Sequence, residues 1–176
     1  MPKVKLEKSL EGSILDIGGG GEGIIGRIYC RRVTAIDTSR EELNEAPDGP
    51  VKLVMDAAAL KFDPGTFDHV TTFFSLMYMD RKTQEAVVRE ASRVLKPGGE
   101  LHIWDTMIET ACPEPFMIDL AIDANGETIN TTYGIVKTDT QDKDLFINLC
   151  RGTGLTLAQE TTDGPLLYLR FSKPAL

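Results

Sequence analysis

Ser13-Ile-Leu-Asp-Ile-Gly-Gly-Gly-Gly-Glu-Gly23 decides how this chain is read. A short apolar strand carrying Ile14, Leu15 and Ile17 runs straight into a glycine turn, with one carboxylate, Asp16, just before it. Glycine has no Cβ to hold a ligand off the backbone, and it tolerates positive φ in a tight turn. The backbone N–H groups that follow are then expected to face a bound nucleotide-like molecule. Adjacent glycines in a loose surface loop would carry a large entropic cost with nothing to offset it. The turn is therefore expected to hold something small where the strand ends.

From Ser13 to about Asp105, apolar runs alternate with helical patterns. Strands are expected at 13–17, 32–37, 51–55, 68–73 and 100–104. Before the last of these, Val87, Ala91, Val94 and Leu95 mark one face of a helix, and Pro97-Gly98-Gly99 is read as its stop and as the turn back into the sheet. Short strands with helical crossovers imply a parallel sheet covered on both faces. The tail differs. A helix over 142–151 presents Leu145, Phe146 and Leu149 on one face. Residues 155–161 and 166–172 then alternate apolar and polar around Asp163-Gly164-Pro165, as an antiparallel pair does. Between strand five and that helix, 116–123 and 127–136 flank Ala124-Asn125-Gly126, a hairpin-turn signal. The fold class is thus α/β, a mainly parallel sheet with helices on both faces that ends in an antiparallel hairpin. A second hairpin is inserted within 106–140, at the carboxyl end of strand five, where open α/β sheets bind ligands.

With 176 residues the chain has the length of one domain, and a single domain over 1–176 is expected. A formal net charge of -8 argues against a broad grip on nucleic-acid phosphates. Apolar runs fall short of membrane-spanning length, and the first residues lack the apolar core of a signal peptide. Cys30, Cys112 and Cys150, odd in number and far apart, read as reduced thiols of a cytoplasmic protein. His69 and His102 are the only histidines, and with no metal-ligand spacing along the chain no metal is expected. His102, in a central strand, is read as a hydrogen-bonded core residue.

The glycines alone leave two families open. Gly18-x-Gly20-x-x-Gly23 fits the dinucleotide fingerprint, and Asp37 lies near the separation expected of its ribose-binding acid. That supports an NAD(P)-dependent oxidoreductase. The longer pattern, however, resembles the class I (Rossmann-like) S-adenosylmethionine (SAM)-dependent methyltransferases, in particular their small-molecule group. Ile14-Leu-Asp-Ile-Gly-Gly-Gly-Gly is similar to their first motif. Ala35-Ile-Asp-Thr-Ser39 is similar to the second strand with its ribose-binding acid. Met55-Asp-Ala-Ala-Ala-Leu-Lys-Phe62 followed by Thr66-Phe-Asp-His-Val70 resembles the third-strand acid and the start of strand four. Arg93-Val-Leu-Lys-Pro-Gly-Gly-Glu-Leu101 resembles the turn into strand five. These motifs stand in order over 13–105, and the tail topology agrees with them.

The resemblance implies SAM as cofactor, S-adenosylhomocysteine as product, and roles for particular residues. Asp16 would sit near the methionine ammonium, whereas a carboxylate beside a pyrophosphate would repel it. Gly18 and Gly20 would let the backbone pass close to the ligand. Asp37, followed by Thr38, would accept hydrogen bonds from the ribose hydroxyls. Asp56 would take the adenine amino group, the Ala57 N–H a ring nitrogen, and Phe73 would border the methionyl part. Considered singly, Asp37 and Asp56 also read as ordinary turn starters, and Phe74 as core.

The chain departs from the family pattern in two places. Glu22 stands where the motif has its third glycine, which falls one residue later at Gly23, and only about a dozen residues precede the first motif strand. The 106–140 hairpin, as a lid or dimer element, a second subunit of a homodimer, or both are then expected to cover the site, the alternative being an unusually open one. Methyl transfer from a sulfonium needs alignment and exclusion of water above all. For a base, position alone offers Asp105, Tyr78 and Tyr133. The Asn/Asp-Pro-Pro-Tyr/Phe signature of amide- and adenine-methylating relatives is absent where Phe74-Ser-Leu-Met stands. The expected activity is methyl transfer to a small-molecule acceptor, with no nucleic acid and no membrane as partner. SAM binding without catalysis is the other reading that the short beginning and the missing base leave open.

Overall fold

The structure is a computed structural model and describes residues 1–6, 8–109 and 112–175. In chain order its strands are β1 (Lys3–Leu6), β2 (Ile14–Ile17), β3 (Val33–Asp37), β4 (Val51–Val54), β5 (Phe67–Phe73), β6 (Leu95–Thr106), β7 (Phe116–Ala124), β8 (Glu127–Ile135), β9 (Thr156–Asp163) and β10 (Leu166–Ser172). The α-helices are α1 (Ile24–Tyr29), α2 (Arg40–Glu45), α3 (Arg81–Val94) and α4 (Lys143–Gly152).

A seven-stranded sheet has the order β4-β3-β2-β5-β6-β10-β9. Pairings from β4 to β6 are parallel, and β10 lies antiparallel between β6 and β9. Its two faces carry separate cores. Leu15, Ile17, Val70, Leu101 and Ile103 pack with α3 and α4 on one side. Ile14, Val33, Ala35 and Phe73 pack with α1 and the inserted hairpin on the other. All four residues of β2 are buried, as expected of a central parallel strand covered on both faces.

Each longer helix starts where the sequence supplies a cap. The Asp80 side chain accepts from Thr83 N at 2.7 Å, Asp142 from Leu145 N at 2.8 Å, and in the shorter α2 Ser39 accepts from Glu42 N at 3.2 Å. At the far end of α3, Lys173 Nζ donates to the carbonyls of Ser92 and Leu95, both at 2.7 Å. A cation there satisfies otherwise orphaned acceptors and faces the negative end of the helix.

The structure corrects three local expectations. First, Lys96–Gly99 does not form a separate turn. The helix ends at Val94 and the chain enters β6 at once, with a register shift against β5 between Phe67 and His69. Second, the buried face of α4 is Phe146, Ile147 and Cys150, with Leu149 partly buried against the same core and Leu145 outside it. Third, the chain before β2 contains a strand. β1 pairs in parallel with β7, so the inserted hairpin is the rest of a three-stranded sheet, β1-β7-β8, and not a free flap. Alternate β7 residues Ile118, Leu120, Ile122 and Ala124 bury themselves against Ile24, Ile25 and Ile28, which fixes this small sheet over α1.

Candidate active site

A cavity of about 930 Å³ opens at the carboxyl ends of β2, β3, β4 and β5. The structure brings Asp16, Gly18, Gly20, Asp37, Thr38, Asp56, Ala57 and Phe73 together in its wall, along with Tyr78 and Tyr133.

Packing of the glycine turn explains its composition. Gly18, Gly21 and Gly23 have φ of 74°, 59° and 54°, the left-handed region. A Cβ on Gly18 would lie 2.5 Å from Ser75 Cβ, and one on Gly20 would lie 2.6 Å from Glu42 Cβ. The turn's N–H groups are largely used within the protein. Gly18 and Gly19 both donate to the Ile36 carbonyl, at 2.9 and 3.0 Å, and Gly21 donates to the Glu42 carbonyl at 2.8 Å. For Gly18, Gly19 and Gly21 the expectation that the N–H groups face a ligand is corrected: they dock the loop onto β3 and α2. A pyrophosphate would find no long helix behind the turn, since α1 has only six residues.

Asp16 lies at the floor, 2 % exposed, and accepts from Thr71 Oγ1 at 2.7 Å. Burial pushes its carboxyl up to about 7, the Thr71 hydroxyl opposes this, and the charge of Asp37 adds to it. Asp37 and Asp56 each use Oδ1 to start a turn, accepting from Ser39 N at 2.9 Å and from Ala58 N at 2.8 Å. In both, Oδ2 has no hydrogen-bond partner among the described residues. The turn-starter and cavity-wall readings of these residues are thus compatible.

Glu42 and Ser75 are wall residues that the sequence does not mark, and Glu22 is one that it marks as a departure from the glycine pattern. Glu42 reaches the cavity from α2, and burial together with Glu45, Asp37 and Glu22 raises its carboxyl above the usual range. Ser75 Oγ donates to the Ile17 carbonyl at 2.9 Å and locks the ends of β5 and β2 together. Glu22 accepts a short hydrogen bond from Thr131 Oγ1 of β8, so the residue that breaks the glycine pattern ties the turn to the hairpin. With Asp16, Asp37, Asp56 and Asp80, the cavity wall carries six carboxylates and no Lys, Arg or His among the described residues.

The inserted hairpin supplies Thr132 and Tyr133 to the wall. Tyr133 stacks on Phe74, so Phe74 is more than core: it also lines the cavity. A second cavity of about 450 Å³ lies behind Phe74, lined by Tyr29, His102, Trp104 and Tyr168.

Position suggested Asp105 as a residue facing an acceptor, and the structure corrects this. Asp105 is fully buried outside the cavity, and its carboxylate accepts from Met77 N (3.2 Å), Thr106 N (2.8 Å) and Gln141 Nε2 (2.8 Å). Burial pushes it up to about 7, while these three donors and Lys137 pull the other way. The phenols of Tyr78 and Tyr133 are both raised by burial, so neither is poised to accept a proton at neutral pH.

This fold and cavity define a class. The chain belongs to the methyltransferase-domain family, whose sequence profile matches residues 15–103, and the family's cofactor is S-adenosylmethionine. Among curated relatives, it is 31% identical over 131 residues to the sarcosine/dimethylglycine N-methyltransferase of Halorhodospira halochloris, covering 67% of this chain and 46% of that protein. It is 38% identical over 104 residues to the ubiquinone/menaquinone biosynthesis C-methyltransferase UbiE of Chromobacterium violaceum, covering 51% of this chain and 41% of that one. The chain spans about half the length of the curated relatives it matches. A SAM-dependent methyltransferase from Methanosarcina mazei superposes with a TM-score of 0.67 at 19% identity, covering 95% of both chains. One from Mesorhizobium loti gives 0.64 at 18%, covering 92% of this chain and 90% of that one. At these identities the structural likeness shows the fold.

Proposed function

We propose that this chain binds S-adenosylmethionine in the larger cavity and directs its methyl group to a small-molecule acceptor by in-line displacement. The observation that carries the reading is the wall of six carboxylates without a basic side chain among the described residues. SAM supplies an activated methyl group on a positively charged sulfur, and its methionyl end carries an ammonium. An acidic, partly buried wall favours such a ligand and disfavours a pyrophosphate.

The chain's own groups divide the work. Asp16 holds the ammonium, Asp37 the ribose hydroxyls, and Asp56 with the Ala57 N–H the adenine edge. Gly18 and Gly20 keep the wall thin, and Phe73 borders the methionyl part. The acceptor takes the remaining space beside Tyr78, Met79, Thr132 and Tyr133, where the hairpin excludes water. With neither Tyr78 nor Tyr133 poised as a base, an acceptor whose attacking atom carries its lone pair at neutral pH fits that space.

The same reading makes the acceptor small, since the acidic wall repels nucleic acid. The hairpin serves as a lid within one domain, with a homodimer as the alternative source of cover. Three cysteines that are all free are compatible with a cytoplasmic setting, which is part of this proposal. No helix among the described residues is long and apolar enough to cross a membrane. Calorimetric titration with SAM, S-adenosylhomocysteine, NAD and NADP tests the reading. Micromolar binding of the sulfur ligands alone is expected, and binding of NAD alone would overturn it.

A further inference from the structure

At the other end of the strands, three side chains converge that no function described so far uses. His69 of β5 and Glu100 of β6 are register partners, and His102 follows two residues after Glu100, so all three share one face. The register shift between Phe67 and His69 sets this pairing, as bulges commonly re-aim side chains. His69 Nδ1 lies 3.1 Å from His102 Nε2. Glu100 Oε2 lies 3.8 Å from the first nitrogen and 3.6 Å from the second. A triangle with these edges has a centre about 2.0 Å from every corner, the bond length of Zn²⁺ to imidazole nitrogen and carboxylate oxygen.

We propose that His69, Glu100 and His102 form a site for one Zn²⁺ ion, separate from the cofactor cavity, with the fourth coordination position left to water.

The surroundings are arranged as such ligands require. His102 Nδ1 lies 3.0 Å from the Tyr168 hydroxyl. His102 thus has an oxygen partner for its other nitrogen, which orients ring and tautomer. Glu100 Oε1 accepts from Arg170 Nη1 at 2.8 Å, which turns Oε2 towards the histidines. Arg170 also places a positive charge nearby, and the carboxylates of Glu100 and Asp68 oppose it. Burial lowers both imidazole pKa values, that of His102 to about 3, so the rings are neutral and have lone pairs to offer. Exposure of 14% and 23% at His69 and Glu100, against 2% at His102, leaves a way in for an ion.

Without an ion the two rings share one N–H between the facing nitrogens. Binding needs that proton moved to a ring's other nitrogen; on His102 this is Nδ1, where the Tyr168 hydroxyl accepts it. No net charge is gained or lost in that rearrangement. The ion would join β5 to β6 across their register shift and act on stability rather than on the transfer step.

The test is calorimetric titration of chelator-stripped protein with Zn²⁺, with Co²⁺ as the spectroscopic probe. One ion per chain is expected, with a dissociation constant of about 10 μM or tighter. His69→Ala and Glu100→Gln should each weaken it by about thirtyfold or more, with circular dichroism checking that each variant folds. Cys30→Ser/Cys112→Ser should bind normally, because the Co²⁺ spectrum should lack thiolate charge transfer. Absence of saturable binding at about 100 μM Zn²⁺ would overturn the proposal. So would binding that survives in both ligand variants, or that disappears in the cysteine variant.

Discussion

Phe74 and Tyr133 lie face to face, their ring centroids 5.0 Å apart and their planes within 7° of parallel. Phe74 follows the tip of β5 with a φ of 48°, a left-handed conformation that a bulky residue adopts only under constraint. Its N–H donates to the Trp104 carbonyl at 2.8 Å, and its ring separates the two cavities. Strain of this kind is held by its surroundings and gathers at functional sites. Here the inserted hairpin holds it.

Replacing Tyr133 should therefore loosen the lid more than the fold. Tyr133→Ala removes a stacked pair of about 0.5–1.5 kcal/mol beyond its buried area. Stopped-flow displacement of S-adenosylhomocysteine should show faster release, with the association rate little changed. An unchanged release rate would separate the hairpin from ligand retention.

Asp37→Ala should weaken SAM binding by about 2–3 kcal/mol, roughly 30- to 150-fold, for a lost pair of charged hydrogen bonds. Asp37→Asn keeps the Ser39 turn and should lose less. Equal, near-normal affinities in both variants would return Asp37 to a purely structural role.

With Asp16 holding the ammonium as proposed, SAM affinity should depend on pH. The Asp16 carboxyl titrates near 7, and the ammonium of the ligand prefers it ionised. Below that value a proton must leave before the ligand binds. Affinity should then be about 10- to 30-fold weaker at pH ~5.5 than at pH ~7.5. Without ligand the sign reverses: the folded chain holds this proton more tightly than the unfolded one, so stability falls as pH rises from about 4 towards 7. Titrations across this range on wild type and Asp16→Asn check both points, since the variant should lose the dependence.

Asp105→Ala should act on stability. It would leave three buried N–H donors without an acceptor and remove one of the carboxylates near Lys137, at a cost of about 3–5 kcal/mol. A large drop in urea midpoint with retained S-adenosylhomocysteine binding is expected. Normal stability with abolished turnover would restore Asp105 as a residue of the chemistry.

Gly18 and Gly65 separate two kinds of glycine. Both have positive φ, 74° and 67°, yet a Cβ at Gly65 meets open space while one at Gly18 meets Ser75. Gly65→Ala should cost about 1–2 kcal/mol from conformation alone. Gly18→Ala should cost about 1–3 kcal/mol more by overpacking. Equal values from denaturant unfolding would show that the turn relaxes away from Ser75.

Much of this molecule is written locally. Alternating apolar runs, the cap residues Ser39, Asp80 and Asp142, and the Asn125-Gly126 turn determined the order of strands and helices, because each signal acts within a few residues. The glycine run and the acids Asp16, Asp37 and Asp56 marked the cavity wall, since they stand at strand ends that a parallel sheet must bring to one edge. Three-dimensional packing decided the rest. Lys3–Leu6 is too short to declare itself, and it is a strand only because β7 offers an edge. Asp105 sits at a strand end like the others, but Met77, Thr106 and Gln141 converge on it and turn it inward. Glu22 looked like a defect in a motif until Thr131, more than a hundred residues away, gave it a partner. His69 and His102 show no ligand spacing along the chain, because register across two strands, not distance in sequence, sets them 3.1 Å apart.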